Sequence, residues 1–376
     1  MFRRLNVLVL PIMIAVGATP PMPLVAQGRG SAADRYRPGV TVLLDEQISL
    51  IRNRSIALLA DPRARDERGR ATTSLFRDER RLRAARVTLA GVLNPADANA
   101  FATLDTLRGP VALMVLDIVD DGWRRGPVPA IIVTALRVAA ARRTPIIVLD
   151  RPNPLTGDHA EGPIPDSLAA ASDGLYGLPA RHGMTVGELA RFFNEAGAIG
   201  ADLTVVPVRG WRRSWWPGEN GVAEHPGGAD TTPERLLIRG TLAPLQATNV
   251  SVEFGPSRAE ASFAAPWFDA RRLAAALADR LIVGVKFEEA RGRVRVVLTD
   301  RDRVSPWRVV GAILTTLQRA HADQFRIDAQ RFDSAVGTPE FRTAVLRGDD
   351  ADAIVDRDLG KVVDFARRAR GALLYR

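Results

Sequence analysis

Five short apolar runs, separated by stretches of helical character, constrain this chain more than any other feature. Residues 56–60 end at Asp61, 87–93 at Asn94, 111–116 at Asp117, 146–149 at Asp150 and 203–206 at Pro207. Runs this continuous have no polar face, so both sides of each strand must be covered, as in a parallel sheet flanked by helices. Helical spacing is clearest at 129–143 and 186–194. The expected fold class is therefore α/β, with a Rossmann-like parallel sheet domain over residues 40–258. Parallel strands point one way, and ligands of open α/β sheets bind outside their shared carboxyl edge. A single strand ending on Asp or Asn signals no more than a turn or a helix cap. Four of the five ending so make a polar rim. No Gly-x-Gly-x-x-Gly follows any run and no Gly-Lys-Ser/Thr loop occurs, which argues against dinucleotides and nucleoside triphosphates.

At 376 residues the chain is too long for one ordinary core, and two domains are expected. An irregular stretch rich in Trp, Pro and Gly, 210–233, reads as a long surface loop. Beyond residue 258 the pattern changes. A helix at 270–279 leads to strands at 282–287 and 293–298 with polar residues interleaved, then to helices at 307–321 and through the last forty residues. This is expected to be a smaller α+β C-terminal domain, 259–376.

The start of the chain carries Phe2-Arg3-Arg4, an apolar segment over 5–16 and small, Pro-rich residues up to Ala26. That layout is a secretory signal peptide, 1–27, and implies export to the periplasm or beyond. The apolar segment contains Pro11 and is too short to span a bilayer comfortably, so no membrane contact is expected after cleavage. Cysteine is absent, which removes disulfides, thiolate metal sites and a lipid-modified cysteine. The net charge of +9 is almost all arginine and scattered. For an exported protein it points to cell-wall polyanions before nucleic acid.

The densest local motif is Asp150-Arg151-Pro152-Asn153-Pro154, followed by Gly157 and Glu161. A strand that stops at an Asp-Arg pair and turns through two prolines presents charge at the sheet edge. Arg151 and Asn153 either fork hydrogen bonds to a sugar or fasten the turn to the sheet. A second motif places Arg181 and His182 just ahead of Thr185-Val186-Gly187-Glu188. Thr185 and Glu188 fit a capping box, so Glu188 reads as structural. The Arg-His pair at a helix entrance suits an anionic or hydroxylated ligand. Only four histidines are present, none at metal-ligand spacing, so no metal is expected. Glycosidic cleavage ordinarily uses two carboxyl groups across the scissile bond; Asp61, Asp97, Asp117, Asp120, Asp121 and Glu161 all fall near this edge. Trp211, Trp215 and Trp216 either stack on sugar rings or pack the domain junction.

These motifs, with 203–207 and Gly210-Trp211, Thr248-Asn249-Val250-Ser251, Ala265-Pro266-Trp267 and Thr299-Asp300-Arg301, resemble the bacterial exo-β-N-acetylmuramidase (NamZ-like) family over about residues 42–375. The resemblance implies a cleft between a Rossmann-like domain and a smaller one, no organic cofactor, and removal of terminal N-acetylmuramic acid from peptidoglycan fragments. Where that family has Ser-Pro-Glu-His-Gly, with its proposed catalytic Glu, this chain has Asn94-Pro95-Ala96-Asp97-Ala98. Ala96 thus stands in the Glu position. The segment after the third strand becomes Asp117-Ile118-Val119-Asp120-Asp121-Gly122. The expectation is a glycoside hydrolase with altered or reduced activity, using Asp97, Asp120 or Glu161 as acid/base. Asp117, Arg151, Asn153, Arg181, His182 and Asn249 are expected to bind substrate. The alternative is an inactive homologue that binds the amino sugar. Expected partners are peptidoglycan fragments or muramic-acid-containing sugars, with a homodimer left open.

Overall fold

The apolar runs form five parallel strands, β1 (Ser55–Ala60), β2 (Thr88–Leu93), β3 (Leu113–Asp117), β4 (Ile146–Leu149) and β5 (Leu203–Val206), in a computed structural model of the protein. The structure describes residues 35–107, 109–165, 175–222, 232–255 and 259–376. The expected signal peptide and part of the expected 210–233 loop lie outside those residues. The sheet order is β2-β1-β3-β4-β5. Leaving β1, the chain winds to one side for β2 and to the other for β3, so a topological switch point lies between β1 and β3.

Both faces of the sheet are covered, as continuous apolar strands require. One face packs Ala57, Met114, Leu116 and Val148 against the helices Pro127–Arg142 and Val186–Ala196. The other packs Leu58, Val115 and Leu149 against Gly39–Asp45 and Thr72–Asp78. Strand β3 is buried throughout, whereas β2 at the sheet edge is mostly half-exposed. The helix Val186–Ala196 starts at the expected capping box, with Thr185 accepting from Glu188 N–H and Glu188 accepting from Thr185 N–H.

A second, antiparallel sheet has the order β6-β7-β9-β8, from β6 (Ser251–Phe254), β7 (Glu260–Ala264), β8 (Val285–Ala290) and β9 (Arg293–Leu298). Its core takes side chains from Pro233–Leu242, Ala270–Ala278 and Pro306–His321. The expected boundary at 258 is therefore displaced. Strand β6 precedes it and pairs with β7 beyond it. As an edge strand with alternating, half-exposed residues, β6 carries no apolar run to betray it. The far end of the chain also departs from the expected division. The helix Leu359–Ala369 returns Phe365 and Ala369 to the core of the first domain.

A tryptophan joins the two units. Trp216 is buried in the second core and donates its indole N–H to Asp302 at 2.6 Å. Trp211 packs edge-to-face on Tyr375, ring centres 5.1 Å apart. Trp216 thus packs the junction, whereas Trp211 packs within the first unit, beside Tyr36, Val208 and Tyr375. Trp215 remains half-buried, with the Arg212 guanidinium over its ring.

Candidate active site at the carboxyl edge of the parallel sheet

The polar rim forms, but its strand-end carboxylates are taken up by local structure. Asp61 is held by Arg63 through both oxygens, Nε at 3.0 and 3.1 Å and Nη2 at 2.6 Å. Asp117 is fully buried and receives Arg151 Nε at 2.5 Å, Arg151 Nη2 at 2.9 Å and the Thr72 hydroxyl at 2.6 Å. Asp150, also fully buried, accepts from Gly187 N–H at 2.7 Å, from the Thr185 hydroxyl at 3.0 Å and from the Tyr375 hydroxyl. Burial raises the Asp150 carboxyl to about 7 against the pull of these donors. The Tyr375 phenol is raised too, by burial and by Asp150 itself.

Arg151 and Asn153, expected as sugar ligands, fasten the turn instead. Arg151 Nη1 donates to Arg65 O at 2.9 Å, so all three guanidinium nitrogens are engaged. Asn153 Oδ1 accepts Leu155 N–H at 2.7 Å while Nδ2 donates to Met184 O at 3.0 Å. Two prolines leave this turn short of backbone N–H groups, and the side chains supply the missing contacts. Asp117 likewise binds Arg151 rather than substrate.

A cavity of about 130 Å³ sits at the switch point, between the loop after β1, the turn after β3 and the 151–154 turn. Tyr36, Pro217 and Val222 close it from outside the sheet. Among its lining acids, Asp66 is tied into its own loop by Arg70 Nε at 2.7 Å and by the N–H groups of Arg68 and Arg70. Glu67 accepts the Thr41 hydroxyl at 2.5 Å. Asp120 differs. It is 4% exposed, lines the cavity, and makes no aligned hydrogen bond among the described residues. Its neighbour is His182, 1% exposed, with Nε2 3.1 Å from Asp120 Oδ2 but off the hydrogen-bond direction. The contact is close without being saturating. Beside it, burial and the Asp120 charge raise the Asp121 carboxyl to about 6. An ionisable acceptor next to an acid that keeps its proton in this range is the raw material of acid/base chemistry.

The remaining expected residues lie elsewhere or are otherwise engaged. Arg181 is fully buried; it pairs with Glu161 at 3.0 Å, donates to Leu155 O at 2.6 Å and lies over the Trp216 ring. Glu161 also accepts the Ser305 hydroxyl at 2.7 Å, so this expected acid/base residue clasps the two units together. Its partners were invisible locally, since Ser305 is 144 positions away. Asp97 is exposed on the loop after the edge strand, accepting the Asn94 side-chain amide at 2.9 Å, and is not among the cavity-lining residues. Asn249 belongs to the second unit, where its side chain binds Gln324 O and Arg326 N–H, both at 2.9 Å. No group of three or more His, Asp or Glu suited to a metal occurs among the described residues.

Sequence reading missed Tyr36, Arg65 and Glu67. Arg65 is exposed at the cavity, reaching Gly69 O at only 3.4 Å. A signal was present: the charged run Arg63 to Arg70 directly follows β1, on the edge already identified. Tyr36 gave none, because it precedes the first element.

The family model described as the N-terminal part of exo-β-N-acetylmuramidase NamZ matches residues 99–225, and that of its C-terminal part matches 240–375. The first match begins beyond Ala96 and Asp97. The peptidoglycan β-N-acetylmuramidase NamZ of Bacillus subtilis (strain 168) is 28% identical over 280 residues, covering 70% of this chain and 68% of that protein. Two crystal structures of DUF1343 family proteins from Bacteroides fragilis NCTC 9343 share the fold. One has a TM-score of 0.76 at 21% identity, covering 91% of this chain and all of its own. The other has 0.63 at 19%, covering 91% and 99%. With both halves matched in order along a fold that such structures share, the chain belongs to the exo-β-N-acetylmuramidase NamZ family, a family of glycoside hydrolases.

Proposed function

We propose that this protein is an exported exo-β-N-acetylmuramidase-type hydrolase that acts on peptidoglycan-derived amino sugars at a reduced rate. Asp120 is its proton-transferring carboxylate in this reading. One observation carries the assignment: Asp120 is the buried acid of the cavity that no arginine neutralises and no aligned donor occupies. The prolines and valines around it offer an apolar wall to the C–H face of a pyranose. The reduced rate follows from Ala96, where the family resemblance calls for a Glu; a missing general acid lowers rates by about 10²–10⁴-fold. Export rests on the charged, apolar and small-residue layout of the first 27 residues, and sequencing the N-terminus of the secreted protein checks it.

The test is release of free N-acetylmuramic acid from a MurNAc-GlcNAc disaccharide, with Asp120→Asn, Asp97→Ala and Ala96→Glu alongside. Slow turnover that Asp120→Asn abolishes and Asp97→Ala spares is the expected result. Loss in Asp97→Ala with activity kept in Asp120→Asn overturns the assignment. A second reading has its own support: Ala96 and the exposed, Asn94-bound Asp97 leave the family's proposed acid position without a free carboxylate. On that reading the protein binds the amino sugar without cleaving it. Calorimetric binding with no turnover, and turnover gained by Ala96→Glu, favour it.

A further inference from the structure

The hydrogen bonds around His182 fix which of its nitrogens carries the proton. Leu155 N–H needs an acceptor and finds Asn153 Oδ1 at 2.7 Å; Met184 O needs a donor and finds Asn153 Nδ2 at 3.0 Å. The orientation of the Asn153 amide is therefore set by two backbone groups. That amide then presents N–H to His182 Nδ1 at 3.3 Å, and Met184 N–H points at the same nitrogen from 3.2 Å. A ring nitrogen facing two donors is an acceptor, so the proton sits on Nε2. Nε2 is the atom 3.1 Å from Asp120 Oδ2. A carboxylate has about four acceptor positions, and one off-axis imidazole N–H fills little of that capacity. Leaving a buried acceptor empty is unfavourable, so the cavity is suited to receive donors. The exposed Arg65 on the same cavity disfavours a cation. A ligand with several neutral O–H groups, a sugar, meets both conditions.

We propose that His182 is a positioning residue. Its Nε2–H, kept beside Asp120 by Asn153 and Met184 although off the hydrogen-bond axis, leaves the carboxylate ready for sugar hydroxyls, and the imidazole itself does not bind substrate. This rests on the muramidase reading of the cavity, so the test has an arm independent of turnover. In a long-range ¹H–¹⁵N spectrum of the full-length mature protein, His182 is identified by its loss in His182→Asn. Protonation at Nε2 is expected; protonation at Nδ1 overturns the inference whatever the hydrolysis assay shows. The second arm measures binding of the MurNAc-GlcNAc disaccharide by calorimetry. His182→Asn places an acceptor near the Nδ1 position and removes the donor, whereas His182→Gln places an amide N–H near the Nε2 position. Affinity is expected to fall about tenfold in the Asn variant, which loses the N–H beside the Asp120 carboxylate, and to be largely rescued in the Gln variant. Equal losses in both, or losses that follow their melting temperatures, mean that His182 only supports the fold and sink the proposal. If the unaltered protein binds no disaccharide, the muramidase reading fails, and the tautomer spectrum alone decides for or against His182.

Discussion

Arg181 and His182 are neighbours in sequence, both fully buried, and each faces a carboxylate. Their surroundings diverge. Arg181 meets Glu161 with a full charge through Nη1 at 3.0 Å, and Ser305 fills the other carboxylate oxygen. That carboxylate is closed, and the seam between the two units is fastened through it. His182 offers Asp120 one N–H from a ring whose other nitrogen is occupied. That carboxylate stays open toward the cavity. An acid opposite arginine becomes a rivet, and an acid opposite imidazole keeps its capacity for a ligand. Asp150 is a third case: neutral hydroxyl and amide donors surround it completely, leaving it closed yet without a cation.

The contrast is sharpest in Asp120→Asn. Its hydrolysis of the disaccharide is expected to drop by about 10²–10⁴-fold, with unfolding free energy changed by no more than about 1 kcal/mol. A stability loss as large as the rate loss would erase the distinction. Arg181→Met attacks the other side. It strips Glu161 and Leu155 O of their partner, and a urea titration should show a loss of about 3–5 kcal/mol, as when one member of a buried pair is removed. Two glycines then separate the regions. Gly162 has φ +88° and a Cβ there would fall 1.9 Å from Trp307 Nε1; Gly122 has φ +82° and a Cβ would fall 2.9 Å from Asn153 Oδ1. Alanine at either site should lower stability by about 1–3 kcal/mol through overpacking. Only Gly122→Ala, by moving Asn153, should also weaken disaccharide binding; equal binding in both variants would argue that Asn153 orients nothing.

The remaining effect is a pH slope. The folded Asp150 carboxyl is raised to about 7, above the usual unfolded value of about 4. The folded protein therefore holds a proton that the unfolded chain has released. Its contribution to stability is complete below about pH 4 and declines as pH rises toward about 7, by at most about 1.4 kcal/mol per unit. Asp150→Asn should remove that decline, so its stability relative to the parent should rise from pH 4.5 to 7.5 in denaturant titrations. A constant difference between the two would show that Asp150 does not titrate in this window.

Much of the scaffold was legible because its signals are local. β4, β5 and β9 appear where their apolar or alternating residues place them, and the Thr185–Glu188 capping box forms as spaced. β6 escaped, because an edge strand with half-exposed residues has no apolar signature. At the candidate site the sequence named the carboxyl edge, where the cavity lies, and included Asp120 and His182 among its residues. It did not separate them from Asp117, Glu161 or Arg151, which share their composition and their neighbourhood. The partners that close those groups come from far along the chain: Thr72 to Asp117 across 45 positions, Ser305 to Glu161 across 144, Tyr375 to Asp150 across 225.

The sequence by itself determined the parallel sheet, the edge on which its polar residues gather, and the family motifs that ride on that edge. Backbone hydrogen bonding and hydrophobic periodicity repeat every few residues, so these features are written locally. Tertiary structure alone decided which acid is left open. Whether a carboxylate is neutralised depends on which donors lie within about 3 Å of it, and those donors arrive only when remote segments have packed.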